Sequence, residues 1–284
     1  MDCYPSSDTQ LARDLWPLAL PTLNKEDRTL EDLPARYRIP TSLPDMFDFA
    51  QVEGNENLTE SLRRNILVYK LDGPNGPTAQ TEVAIRLQGF VDSVNIKALG
   101  NWDSKLKYRS APGATQVLKL VSAGSIAPFA CEVEALQHLE EVIKVVYDKP
   151  LLHAPRVSAK GIRLERPVFT KVHGGNPVTS LLNPGDDLTG VAKTIEDMWY
   201  IKSKIEVKEQ TQSGTIIRRN WQYVQRGDFV DVRAVAYIQR SRYLSIRFGM
   251  EEIVILQKKC PVYFDWLKTQ PRRRVTEDME VDHT

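Results

Sequence analysis

From Arg64 onward this chain alternates apolar and polar residues with a period of two, and the longest such run lies in its last third. In RGDFVDVRAVAYIQRSRYLSIRFGMEEIVILQ, successive strand side chains point to opposite faces. Val230, Val232, Ala234, Ala236 and Ile238 share one face, which predicts core. Phe229, Asp231, Arg233, Val235, Tyr237 and Gln239 share the other, which predicts an outward surface. Leu244, Ile246, Phe248 and Met250 continue the inner face on a second strand and leave Tyr243, Ser245 and Arg247 outside. Earlier runs, NILVYKL, TEVAIRLQGFVDSVNIKAL, TQVLKLVS and IRLERPVFTKV, read as strands bounded by the turns DGPNGP and SAPGA. MWYIKSKIEVKEQ and GTIIRRNWQYV add short strands before the long run.

One segment has a helical period instead. Val133, Leu136, Leu139, Ile143 and Val146 recur at intervals of three or four, and Pro150 marks the stop, which predicts an amphipathic helix over 132–148 packed on a sheet. Pro5, Pro17, Pro21, Pro34, Pro40 and Pro44 break both patterns over residues 1–60 and predict an extended Pro-rich arm, anchored by Trp16, Leu18, Leu20 and Leu23. HGGNPVTSLLNPGDDLTG is dense in turn formers and predicts an internal boundary near 175–190. The expected architecture is therefore α+β and β-rich: an arm over 1–60, a first β region over 61–180 holding the helix, a barrel-like β region over 190–260, and a tail over 261–284.

Composition adds little by itself. Lys plus Arg number 38 and Asp plus Glu 37 in 284 residues, so no whole-molecule field predicts a partner, and any basic site is local. Cys3, Cys131 and Cys260 are few, odd in number and far apart, which fits a reducing compartment, nucleus or cytoplasm. The first residues lack a basic stretch before an apolar run, and no stretch of about 18 apolar residues occurs, so neither a signal peptide nor a membrane partner is expected. The four histidines have no metal-ligand spacing, and no phosphate loop, dinucleotide fingerprint or nucleophile elbow is present, so no metal, cofactor or catalytic residue is predicted. Asp186 and Asp187 read as turn and cap residues, and Glu251 and Glu252 point to opposite faces of a strand.

Charge becomes informative in residues 199–258, where eleven Lys and Arg face six acids and eight aromatics are interleaved. Cations that follow phosphates, with rings that stack on bases, are what a single-stranded nucleic-acid groove needs. The run RGDFVDVRAVAYIQRSRYLSIRFGMEEIVILQ resembles the middle of OB-fold domains similar to those of eukaryotic replication protein A, over about 60 residues, with GDFVDV as the entry to a barrel strand. The resemblance implies a small OB-like, Greek-key barrel at 190–260 that binds single-stranded DNA or RNA without enzymatic activity and with little sequence readout, in replication, repair or a mobile element. The candidate contacts are Lys202, Lys204, Arg218, Arg219, Trp221, Tyr223, Arg233, Tyr237, Arg242, Tyr243 and Arg247. The loop QRSRY is very short for a ligand-clasping loop. A competing reading is a protein-interaction or assembly module, with a protein partner or self-association through residues 1–45 and the exposed aromatics. An enzyme whose site is assembled from distant segments is a third.

Overall fold

A computed structural model describes residues 2–7, 9–23, 30, 33–53, 66–69, 82–147, 150–151, 157–172, 181–182, 185–201, 204–240 and 243–270. In chain order the elements are β1 (Asp2–Cys3), α1 (Leu43–Phe49), β2 (Ala50–Glu53), β3 (Ile66–Tyr69), β4 (Ala84–Asn95), β5 (Thr115–Val121), α2 (Ile126–Tyr147), β6 (Val157–Ser158) and β7 (Gly161–Pro167). They continue with β8 (Thr170–Lys171), β9 (Trp199–Tyr200), β10 (Glu206–Gln210), β11 (Ile216–Arg219), β12 (Phe229–Arg240), β13 (Leu244–Gln257) and α3 (Pro261–Thr269). The protein is thus mixed and strand-rich. Its main sheet runs β11-β10-β13-β12-β4-β5-β7-β6, with β1 added in parallel to β4.

The barrel expected from residues 190–260 does not stand by itself. β12 is paired antiparallel with β4 from Phe229 opposite Phe90 to Val235 opposite Ala84, so strands from both β-rich stretches share one sheet. Nor does a β-ladder close that sheet among the described residues. It curls until β7 lies beside β13: a Cβ on Gly249 would stand 2.8 Å from the Glu165 carbonyl oxygen. Side chains bridge this seam, with Arg166 3.4 Å from Glu251 and Arg247 3.9 Å from Glu165, but no ladder joins the two strands.

The face assigned to the core is core: Val230, Val232, Ala234, Ala236 and Ile238 are all buried, along with Leu244, Phe248 and Met250. The opposite face of β12 is a correction. Phe229, Asp231 and Val235 are also buried, and Asp231 is paired with Arg86 and Gln88. Trp16, from the arm, packs edge-on against Phe90 and Phe229 with ring centroids 5.8 and 5.1 Å away. Tyr263, from α3, stacks on Phe90. Leu11, Leu20 and Leu23 of the arm are buried as well, whereas Leu18 is fully exposed.

Two smaller features have simple causes. α2 begins at Ile126, six residues before the predicted start, because Pro128 falls in the first turn, where a missing N–H costs nothing. The second strand of the long run continues through YLSIRFG and EEIVILQ as one: Glu251 is an extra residue between the pairs Arg233–Glu252 and Ala234–Met250, a bulge that bends β13 without ending it. That bend turns the first half of β13 toward β7 while its second half pairs with β10. No helix of the described residues is long and apolar enough to cross a membrane.

Candidate nucleic-acid interface

The residues predicted from sequence fall into separate places. Arg233 sits opposite Arg86 and donates from Nε to Asp2 Oδ1 at 2.8 Å. Half-buried, it borders a buried polar layer. Arg86, 3% exposed, pairs with Asp231, with Glu252 at 2.6 Å and with Asp2 at 3.7 Å. Gln88 donates its side-chain N–H to Asp231 at 3.0 Å and its backbone N–H to Glu132 at 2.8 Å. Burial pushes the Glu132 carboxyl well above its usual range, against the pull of the Gln88 N–H and with help from the Asp231 charge. Burial pushes Glu252 up too, but hydrogen bonds from Lys208 and Arg86 outweigh it and leave this carboxyl below its ordinary value.

Tyr237 and Arg247 are cross-strand neighbours at the seam. The Tyr237 hydroxyl donates to Glu251, and its ring lies over Gly249, where any side chain would collide with it. Arg218, Arg219, Trp221 and Tyr223 do come together, on β11 and the turn after it. The Arg219 guanidinium lies 4.7 Å over the Tyr223 ring and bonds Glu209 at 2.5 Å. Arg218 is 85% exposed, 3.7 Å from Glu206, and Lys258 donates to the Tyr223 carbonyl. Lys204 is tied to Asp186 at 2.7 Å, and Tyr243 is exposed. Lys202 and Arg242 lie outside the described residues. Of the cations that are described, then, each has a carboxylate within 4 Å.

Cations without such partners are clustered elsewhere, in the loop from β4 to β5. Lys97, Lys105, Lys107 and Arg109 are all exposed there, with Asp103 the one acid between Ile96 and Ala114. None of the four forms an ion pair among the described residues. The Asp103 carboxylate is turned to local use and accepts the Lys105 backbone N–H at 2.9 Å.

This loop is held firmly. The Trp102 indole N–H donates to the Lys107 carbonyl at 3.1 Å, and the Ser110 hydroxyl to the Asp103 carbonyl at 2.7 Å. At its base Asn101 brackets Thr115, accepting its N–H at 2.6 Å and donating to its carbonyl at 3.1 Å. Gly100 makes that approach possible: its φ is +55° and a Cβ would lie 2.7 Å from the Thr115 carbonyl carbon. Outside the main core, Ala111 and Ala114 bury against Val168, Phe169, Ile195 and Ile201. Trp102 packs edge-on to Phe169 at 5.2 Å, and the Tyr108 hydroxyl lies 2.8 Å from the Thr194 carbonyl and 3.0 Å from the Asp197 carboxylate. Asp187, as expected of a cap, accepts the N–H groups of Val191 and Ala192 and orders the segment that receives Tyr108. The aromatics of the loop face inward and its cations face water.

This loop lies outside the cation-rich window of residues 199–258. The signal was present in KALGNWDSKLKYRSAPGA, with four cations, one acid and two aromatics.

No protein-family model matches the chain, and no curated protein matches it. Two solved structures resemble it distantly. One is a C-terminally truncated single-stranded DNA-binding protein from bacteriophage Enc34, 10% identical, with 63% of this chain and 87% of that chain covered at a TM-score of 0.35. The other is the single-stranded DNA-binding protein from bacteriophage Enc34, 12% identical, with 80% and 98% covered at a TM-score of 0.32.

Proposed function

We propose that this protein binds single-stranded nucleic acid, with little sequence readout, and that the loop between β4 and β5 is its principal phosphate contact. The observation that carries the reading is that Lys97, Lys105, Lys107 and Arg109 are exposed and unpaired among the described residues on a backbone already fixed by its own hydrogen bonds. Cations held without a carboxylate nearby attract an anion at full strength, and a loop that is ordered beforehand loses little entropy when it binds. Curling of β13-β12-β4-β5-β7, with β7 beside β13, supports an OB-like reading in which this is the loop between the first two barrel strands, one that such folds use for oligonucleotides. Arg218, Arg219 and Tyr223 make a second, smaller contact; Arg233 has no part in it because Asp2 neutralises it.

The test is fluorescence anisotropy of labelled 30-mer DNA and RNA single strands across a salt series. Each phosphate contact on a single strand adds about 0.7 to the slope of log K against log salt. Replacing Lys97, Lys105, Lys107 and Arg109 by Gln is expected to lower that slope by about 3 and to weaken binding at every salt concentration. An unchanged slope would remove the loop from the interface.

A further inference from the structure

The same loop carries one side chain whose exposure its cations do not explain. Leu106 is 53% exposed, between the exposed Lys105 and Lys107, in a loop whose other large apolar groups are turned inward. An exposed leucine alone means little. Here its backbone is held on both sides: its N–H donates to the Asp103 carbonyl at 3.1 Å, and its own carbonyl accepts from Arg109 at 3.0 Å. The next residue, Lys107, takes φ +45°, a left-handed conformation that a long side chain adopts at a cost. The Trp102 and Ser110 hydrogen bonds to the Lys107 carbonyl hold that turn in place. A strained turn thus fixes an apolar side chain outward among cations.

Building on the proposed nucleic-acid reading, we infer that Leu106 is a base-contacting wedge. With phosphates drawn to Lys105, Lys107 and Arg109, the bases of the same strand come against the leucine, which packs on a base face and interrupts stacking between neighbours. Such a wedge favours single strands over duplex, because in a duplex the base faces are occupied by their neighbours. It reads no sequence, since every base has an apolar face.

The probe is a 30-mer single strand with 2-aminopurine at alternate positions, whose fluorescence rises when stacking is lost. Wild-type protein is expected to raise it. Leu106→Ala is expected to keep the salt slope, to lose most of the 2-aminopurine response and to bind about fivefold more weakly, the loss from uncovering half a leucine. Leu106→Phe is expected to restore or exceed the wild-type response, which separates the wedge from a folding defect. Competition with unlabelled duplex is expected to show the single-strand preference narrowing in Leu106→Ala. A wild-type response that Leu106→Ala leaves intact overturns the wedge and spares the phosphate contacts. If the wild-type protein binds neither strand at low salt, the nucleic-acid reading falls and the wedge with it.

Discussion

At the scale of single residues, Glu132 and Glu252, two of the carboxylates of the polar layer, make opposite demands on pH. Glu132 has its folded pKa raised by burial, so its contribution to stability is complete below the unfolded value of 4.5 and declines as pH rises through the folded pKa. Glu252 has its folded pKa lowered, so its contribution is present above 4.5 and is lost as pH falls through the folded value. Glu132→Gln, which keeps an oxygen for the Gln88 N–H, is therefore expected to gain stability relative to wild type as pH rises from 5 to 9 in urea titrations. A constant difference across that range would show that the folded Glu132 carboxyl is not raised. Gly249 makes the sharpest steric demand. A Cβ would meet both the Tyr237 ring and the Glu165 carbonyl, so Gly249→Ala is expected to cost about 3 kcal/mol by chemical denaturation. Tyr237→Ala in the same background is expected to recover only part of that loss, since the carbonyl still blocks the site.

Among elements, the arm and the β4–β5 loop are the pieces that sequence periodicity described least well. Trp16 lies on Phe90 and Phe229 and is 4% exposed, so Trp16→Ala is expected to cost about 3–5 kcal/mol in urea unfolding, far more than removal of a residue from a loose strap. In the loop, Gly100→Ala is expected to weaken single-strand binding about tenfold with all four cations present, because a disordered loop must be ordered on binding. The inner face of β12 and β13 was legible because period-two alternation translates directly into burial. The other face differs because alternation reports side, not exposure: Phe229 lies against Trp16 and Asp231 pairs with Arg86, partners that come from distant parts of the chain. Phe229 and Val235 themselves, two bulky apolar groups on a face called solvent, were the available warning. Ion pairing was invisible for a related reason: Arg233 and Asp2 are neighbours only because β1 joins the edge of β4. The cations of 97–109 needed no tertiary information, since a short loop with four positive charges and one acid cannot neutralise itself.

Over the whole molecule, the ladder between β4 and β12 ties the two β-rich stretches together, and with them the β4–β5 loop to the C-terminal strands. Heating is expected to give one calorimetric transition. Residues 1–172 and 185–284 produced separately are each expected to lack cooperative unfolding, since β4 and β12 would each expose a long apolar edge. Two separate transitions in the intact chain would mean that the ladder does not couple the halves. Charge is arranged at this scale too: the near-neutral total conceals acids spent on internal pairs at Arg86, Arg219 and Arg233, which leaves the loop as a concentrated positive site.

Pairing Phe90 with Phe229 also has a consequence in time. During synthesis β4 emerges long before its partner, and at ~5–20 residues per second the ribosome needs roughly seven to thirty seconds to deliver β12. Over that interval a hydrophobic strand waits with one side unclaimed, so the nascent chain is at its most vulnerable to aggregation when it is already more than half made.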